Sequence, residues 1–379
     1  HGFSDLYEIG RVNRPDAYHL FLPNHEPLVP RSLRYEVSER LRADGSLHKP
    51  LDEKAVRELA RELKAKHIEA VAVLLLHSYR NPDHERRVKA ILQEEIPGAF
   101  VTASHELSQE YREFERVSTA FANSYVGPRV SEYLGELENH LSAKGFEGDF
   151  YAVQSTGGLF PVEHARRDCV RMLESGPAAG VIGAQAICAQ LGMPDSIAFD
   201  MGGTTAKACL VDDGRPLRTT EFEVARVYRF KKGSGLPLRV PVIEMIEIGA
   251  GGGSIAHIDE LGRIAVGPES AGSSPGPACY GLGGLRPTVT DSDLVQGKLD
   301  PDAFAGGSMC LDVRAARTAV ETHVGKPIGL GWADAAAGVC EIVDENMSNA
   351  TRVHAADAGE EVESRVLIAT GGAGPLHAA

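Results

Sequence analysis

A layered α/β fold in two domains is what this sequence predicts, and three observations carry that expectation. Helix-period and strand-period segments alternate from residue 53 to residue 103. A helix rich in glycine and alanine, ESGPAAGVIGAQAICAQLG, stands near mid-chain. Directly after it, two apolar strands, SIAFD and AKACLV, flank the turn MGGTT. The chain has 379 residues, 43% of them hydrophobic and 24% charged, a globular composition with material for a sizeable core.

Residues 53–66, EKAVRELARELKAK, place apolar side chains at helical spacing. HIEAVAVLLLHSY reads as a buried strand, whose apolar run from Ala70 to Leu76 is too short to cross a bilayer. DHERRVKAILQEE is helical again, and AFVTAS is a short strand. Gln109 to Lys144 is a long helical stretch that Gly127-Pro128 should break, because proline lacks the N–H of the helical ladder. DFYAVQSTGG is a strand ending in a glycine turn. In the mid-chain helix, Ser175 is placed to cap the N-terminus, and Pro177 needs no donor in the first turn. The small residues of this helix lower its intrinsic propensity but let another backbone approach closely. DDG makes the turn after AKACLV, and a β-rich region dense in Gly and Pro runs on toward Gly284. Residues 312–324 and 333–358 read as helices, and RVLIAT is a last buried strand leading into GGAG. The expected division is a first lobe, 1–192, that closes with a connecting helix, 175–191, and a second lobe, 193–379. The second lobe holds the hairpin 196–211 and the turn 371–374.

The formal net charge of −14 disfavours broad nucleic-acid binding, since an acidic surface repels phosphate backbones. No apolar run has the length of a membrane-spanning helix, and HGFSDLYEIG lacks the basic-then-apolar pattern of a secretory leader. The six cysteines are scattered with no CxxC pair. That pattern suggests neither a zinc knuckle nor a disulfide framework, and points to a reducing cytoplasm.

The first candidate site is Asp200-Met201-Gly202-Gly203-Thr204-Thr205. Tandem glycines between strands expose successive backbone N–H groups, which can meet phosphate oxygens with no side chain in the way. Charge-assisted bonds of that kind contribute roughly 1.5–3 kcal/mol each. The hydroxyls of Thr204 and Thr205 add donors, and Asp200 is placed to hold a Mg²⁺-bound water or to orient an attacking one. A plain β-hairpin with an ordinary aspartate is the alternative. Gly371-Gly372-Ala373-Gly374 is a second candidate, where small residues let a flat ligand lie against the backbone; a tight turn with no ligand accounts for it as well. The third, Gly249 to Ser254, approaches G-x-G-x-x-G, but SIAHID, ELG and RIAVG then read as strand, turn and strand. A dinucleotide site needs a helix there, so a second phosphate loop or a substrate-lining loop fits better, with a glycine hinge as the alternative.

Gly272-Ser273-Ser274-Pro275-Gly276 matches the serine-hydrolase elbow in letters only. The residue after the nucleophile must donate its N–H to the oxyanion, and Pro275 has none. A Walker loop and HExxH are absent. Asp291 and Asp293 in TVTDSD could supply carboxylates to a metal, but an Asp-rich turn capping a helix at Leu294 is preferred.

Taken together, GFSDLYEIGRVNRP, LVPRSLRYEVSERL, FERVSTAFANSYVGP, ESGPAAGVIGA, FDMGGTTAKACLV, EIGAGGGSIAHID, VGPESAGSSPGPACYGLGGLRPTVTDSDLV and ATGGAGPLHA resemble the hydantoinase A/oxoprolinase family over nearly the whole chain. That family lies in the actin-like ATPase superfamily, with sugar kinases and the seventy-kilodalton heat-shock chaperones. The resemblance implies a ribonuclease-H-like two-domain fold, present in part, and ATP with Mg²⁺. It implies Asp200 as the catalytic residue and cation holder, with Gly202, Gly203, Thr204 and Thr205 at the phosphates; Lys207, a departure from the family pattern, either contacts phosphate directly or marks a different subfamily. Gly251, Gly252 and Gly253 would form a further phosphate or substrate loop, and Gly371, Gly372, Ala373 and Gly374 would line the adenosine pocket.

The activity so implied is ATP-dependent opening of cyclic amides such as hydantoin, N-methylhydantoin or 5-oxoproline, through a phosphorylated intermediate. A carboxylase branch of the family uses ATP to carboxylate ketones, and an inactive nucleotide-binding or scaffolding fragment is a third reading. A hydantoinase B-type partner subunit is expected. Family members carry another D-x-G-G-T hairpin upstream of GFSDLYEIG and a second connecting segment after GGAGPLHA, so further sequence is expected on both sides. Many members have Asp where Lys207 stands. Asn123, Tyr125 and Ser155 are substrate-side candidates by their place in family-like stretches, with packing or capping the preferred explanation.

Overall fold

Asp52 accepts the N–H of Ala55 and so opens the helix α1 (Glu53–Ala65), whose buried face is Val56, Ala60 and Leu63. The strand β1 (Ala70–Val73), the helix α2 (Asp83–Glu95) and the strand β2 (Phe100–Ala103) follow, and β1 pairs parallel with β2. A parallel pair needs a crossover, and α2 supplies it. Val56, Leu63, Val73, Val88, Ile91, Leu92 and Val101 close the core of this βαβ unit. Each such side chain contributes about 1.5–3 kcal/mol when fully buried.

The computed structural model describes residues 2–11, 16, 18–21, 26–226 and 233–378. The chain forms two compact units, His1–Ala178 with Arg218–Val242, and Ala179–Leu217 with Ile243–Ala379. In the first, the helix α3 (Glu113–Ala143) runs unbroken through Gly127 and Pro128, which corrects the expected break. Every residue from Phe114 to Ser124 is buried, so tertiary packing holds the helix on the N-terminal side of the proline. At Gly127 a Cβ would stand 2.3 Å from the Phe100 ring, so the glycine seats that ring directly on the helix backbone. This packing outweighs the one hydrogen bond that Pro128 removes.

The helix α4 (Ser175–Leu191) begins at Ser175 itself, and the Glu174 carbonyl accepts the Ala178 N–H. Ser175 is thus the first helical residue rather than the cap. In the second unit, the strands β3 (Ser196–Met201), β4 (Ala206–Asp212), β5 (Ile246–Ile248) and β8 (Val366–Thr370) lie in the order β5-β4-β3-β8. Between β5 and β8 in the chain come the antiparallel pair β6 (Ser254–Ile258) and β7 (Ile264–Ser270), the helix α5 (Val289–Val295) and the helix α6 (Trp332–Ala358). The strand–turn–strand reading after Gly253 therefore holds. Alternate residues of the sheet, Ile197, Phe199, Met201, Ala206, Ala208, Leu210 and Ile248, bury one face against Val343, Met347 and Ala355 of α6. Among the described residues, no helix is long and apolar enough to cross a membrane.

Candidate functional site

Strand direction decides where the glycine turns go. β3 is antiparallel to β4, β4 is antiparallel to β5, and β3 is parallel to β8. So β3, β5 and β8 point the same way, and their carboxyl ends leave the sheet at one edge. Each end leads into one of the turns at 202–205, 249–253 and 371–374, which are far apart in sequence. In α/β sheets that edge is where ligands bind.

The first turn is open. The Gly202 N–H donates to the Thr205 carbonyl at 3.1 Å, closing a tight loop between the paired residues Met201 and Ala206. Gly203 and Thr204 are exposed, and a Cβ on Gly202 or Gly203 would meet nothing within 4 Å. Among the described residues no protein acceptor takes the N–H of Gly203 or Thr204. Asp200 stands in register with Lys207 on one side and Thr370 on the other, and Glu247 is opposite Lys207. Cross-strand partners share a face, so Thr370, Asp200, Lys207 and Glu247 form a polar row across four strands. Thr370 Oγ1 donates to Asp200 Oδ1 at 3.3 Å, and Lys207 Nζ lies 4.0 Å from Glu247 Oε1.

The turn at 371–374 lies against the end of β3. Gly371 has φ +83°, and a Cβ there would come within 2.4 Å of the Met201 carbonyl oxygen and 2.6 Å of Asp200 Oδ1. Only glycine satisfies both limits. Ala373 N–H donates to the Met201 carbonyl at 3.0 Å, while Gly372 is exposed with open space beside it. Gly374 is buried and starts a short 3₁₀ turn, Gly374–His377.

The remaining run is closed. Gly251, Gly252 and Gly253 are buried, and the N–H groups of Gly252 and Gly253 donate to the carbonyls of Gly202 and Gly203 at 3.0 and 2.6 Å. A Cβ on Gly251 would stand 2.6 Å from the Thr204 backbone, and one on Gly253 would stand 2.9 Å from the Gly203 carbonyl oxygen. The segment expected as a further loop for phosphate or substrate thus backs the first turn from behind.

Asp291 acts as a cap. It occupies the third position of α5 in a reciprocal capping box with Thr288. Its carboxylate also accepts the N–H groups of Ala278 and Cys279 at 3.1 and 2.7 Å. Asn123, in the first unit, is buried, with its amide bonded to Thr102, the Arg167 carbonyl and the Val170 N–H. Ser155 bridges the Arg171 carbonyl and the Glu174 N–H, whereas Tyr125 is 68% exposed. Among the described residues, no three His, Cys, Asp or Glu side chains gather to hold a metal ion. One carboxylate beside free amides still fits Mg²⁺, which takes one or two carboxylates and draws its other ligands from phosphate and water. Thr370, Glu247, Thr290 and His377 join the site region only through strand register and packing, for which the linear sequence offers no signal.

The mixed α/β unit thus brings two open glycine turns and the Asp200 carboxylate to one sheet edge. The chain belongs to the hydantoinase/oxoprolinase family: the Hydantoinase/oxoprolinase profile matches residues 116–379, and the Hydantoinase/oxoprolinase N-terminal region profile matches residues 1–96. It is 41% identical over 379 residues to an uncharacterized protein of Methanocaldococcus jannaschii, covering 99% of this chain and 55% of the relative. It is 35% identical over 378 residues to the caprolactamase subunit alpha of Pseudomonas jessenii, covering 99% of this chain and 53% of the relative. Its fold matches the solved ATP-dependent caprolactamase with a TM-score of 0.75 at 34% identity, covering 100% of this chain and 54% of that one. It also matches the nucleotide-free acetone carboxylase with a TM-score of 0.83 at 31% identity, covering 100% of this chain and 53% of that one. The chain spans about half the length of the curated relatives it matches.

Proposed function

We propose that this chain carries the nucleotide site of an ATP-dependent enzyme subunit that hydrolytically opens cyclic amides. The supporting observation is the pair of unpartnered, exposed amides at Gly203 and Thr204, one turn from the Asp200 carboxylate. In this reading the fold is of the actin-like, ribonuclease-H-like kind, with 175–191 as the connecting helix and the expected lobes, 1–192 and 193–379, redrawn as the two compact units, so that 179–192 go with the second and 218–242 with the first. Gly202, Gly203, Thr204 and Thr205 hold phosphate oxygens, Asp200 holds the cation or aligns water, and Lys207 adds positive charge on the same sheet face. Gly371, Gly372, Ala373 and Gly374 line the adenosine, and Gly251 to Gly253 keep the phosphate turn rigid. A hydantoinase B-type partner subunit completes the enzyme. A cytoplasmic setting goes with this reading, since all six cysteines are free.

The nucleotide supplies a phosphoryl group that turns a resonance-stabilised amide oxygen into a leaving group. What the chain contributes is placement and fixed charge, which is most of what phosphoryl transfer asks of a protein. In the assembled enzyme, Asp200→Ala is expected to lower ATP turnover by about 10²-fold or more with the thermal midpoint little changed. Turnover close to that of the unaltered enzyme would remove Asp200 from the mechanism.

A second reading, ketone carboxylation, is favoured by the higher structural similarity to acetone carboxylase. ATP consumption that requires a ketone and bicarbonate, and is absent with a lactam, would select it. If this chain alone takes up no Mg-ATP in calorimetry but binds it once the upstream segment is supplied, it is a scaffolding portion whose site is finished by other sequence.

A further inference from the structure

The short helix α5 is linked to both open turns, to 202–205 through Gly252 and to 371–374 through His377. Thr290 donates its N–H and its hydroxyl to the Gly252 carbonyl, at 2.7 and 2.8 Å, and the Gly252 N–H in turn holds the Gly202 carbonyl. Asp293, three residues further along and on the same helix face, reaches His377 Nε2 with Oδ2 at 3.1 Å. The other ring nitrogen of His377, Nδ1, lies 2.7 Å from Asp344 Oδ1 on α6. His377 closes the 3₁₀ turn that begins at Gly374, the last residue of the 371–374 turn.

The chemistry of this contact is constrained. The His377 and Asp293 side chains are 0% and 1% exposed, whereas Asp344 is 37% exposed. A neutral imidazole offers one donor and one acceptor, and two carboxylates can both be satisfied only by the doubly protonated ring. The other groups facing the cluster are Lys298, 3.4 Å from Asp293 Oδ1, and the Cys340 thiol, 3.3 Å from the same oxygen. Two carboxylates thus stand against two cations, and the buried charge is balanced.

We propose that His377 is a positioning residue: its imidazolium, clamped between Asp293 and Asp344, fixes the 371–374 turn in its ligand-ready shape and ties it through α5 to the 202–205 turn. The ligand part of this statement rests on the nucleotide reading above. Burial opposes the positive charge, but the hydrogen bonds to Asp293 and Asp344 outweigh it and raise His377 to about 9. Its contribution to stability is complete below the ordinary histidine value and declines from there up to the folded value, while the ring itself stays protonated at neutral pH, below that folded value, and loses its proton as pH climbs through it.

The test uses this chain labelled with ¹⁵N-histidine, together with His377→Gln and the gentler Asp344→Asn, whose site is partly exposed. The expected spectrum shows both His377 nitrogens protonated at pH 7, with a midpoint near 9 that Asp344→Asn lowers by about one pH unit. Hydrogen exchange of the Ala373 amide, which bonds the Met201 carbonyl, is expected to quicken by about 10-fold in His377→Gln and by less in Asp344→Asn. Mg-ATP affinity of the unaltered chain is expected to fall by about 10-fold between neutral pH and a pH above the midpoint, and to be flat in His377→Gln. A His377 that is neutral at pH 7, or Ala373 exchange unchanged in both variants, overturns the proposal. Faster Ala373 exchange in a chain that binds no Mg-ATP at any pH, either alone or with the upstream sequence supplied, supports the clamp and sinks the nucleotide reading instead. Should His377→Gln fail to fold, the Asp344→Asn midpoint and exchange decide the matter alone.

Discussion

Two glycine runs at the same sheet edge make an instructive pair. At Gly202 and Gly203 an added methyl group would enter open space. At Gly251, Gly252 and Gly253 it would strike the Thr204 backbone, the Thr290 hydroxyl or the Gly203 carbonyl. The letters are alike and the physical demands are opposite. The first run leaves the Gly203 and Thr204 amides uncovered, with open space in front of them. The second keeps side chains out of the way, so that one turn can lie against the back of another and donate to its carbonyls. A glycine run is therefore a statement about close approach, and it leaves open whether what approaches is a ligand or the protein itself.

Substitutions can break or sharpen that contrast. Gly251→Ala is expected to have the largest effect. Its Cβ meets the backbone of Gly203 and Thr204, which has no rotamer to yield, so the loss in a denaturant titration should be about 3 kcal/mol. Thr290→Val removes one of two donors on the Gly252 carbonyl and should cost about 1 kcal/mol in the same titration. Gly203→Ala should change stability by no more than ~0.5 kcal/mol, because nothing lies near its Cβ. The same substitution should still weaken Mg-ATP binding about 5–10-fold in calorimetry, by intruding where phosphate approaches. A Gly203→Ala protein as unstable as Gly251→Ala would erase the distinction between open and packed runs.

Much of the unit that holds the candidate site was legible beforehand. The strands on either side of MGGTT, the strand–turn–strand after Gly253 and the last strand before GGAG follow from local periodicity and turn chemistry, and the structure has them where expected. The continuity of α3 was not legible, because a Gly-Pro pair reports a lost hydrogen bond while the burial that outweighs it comes from Phe100 and other distant residues. The capping reading of Asp291 was within reach, since the motif and its partner Thr288 are neighbours in sequence. The partnership of Asp293 with His377 was not, because eighty-four positions separate them.

By itself, then, the sequence determined the kinds of elements, the places of the glycines and the family, because propensity, period and motif are written over a few consecutive residues. The tertiary structure alone decided which glycines are open and which are packed. It also set the Thr370–Asp200–Lys207–Glu247 row and enclosed His377 between two carboxylates. Strand register and helix packing join residues far apart in the chain, and the free energy that selects them is gained only when those distant surfaces meet.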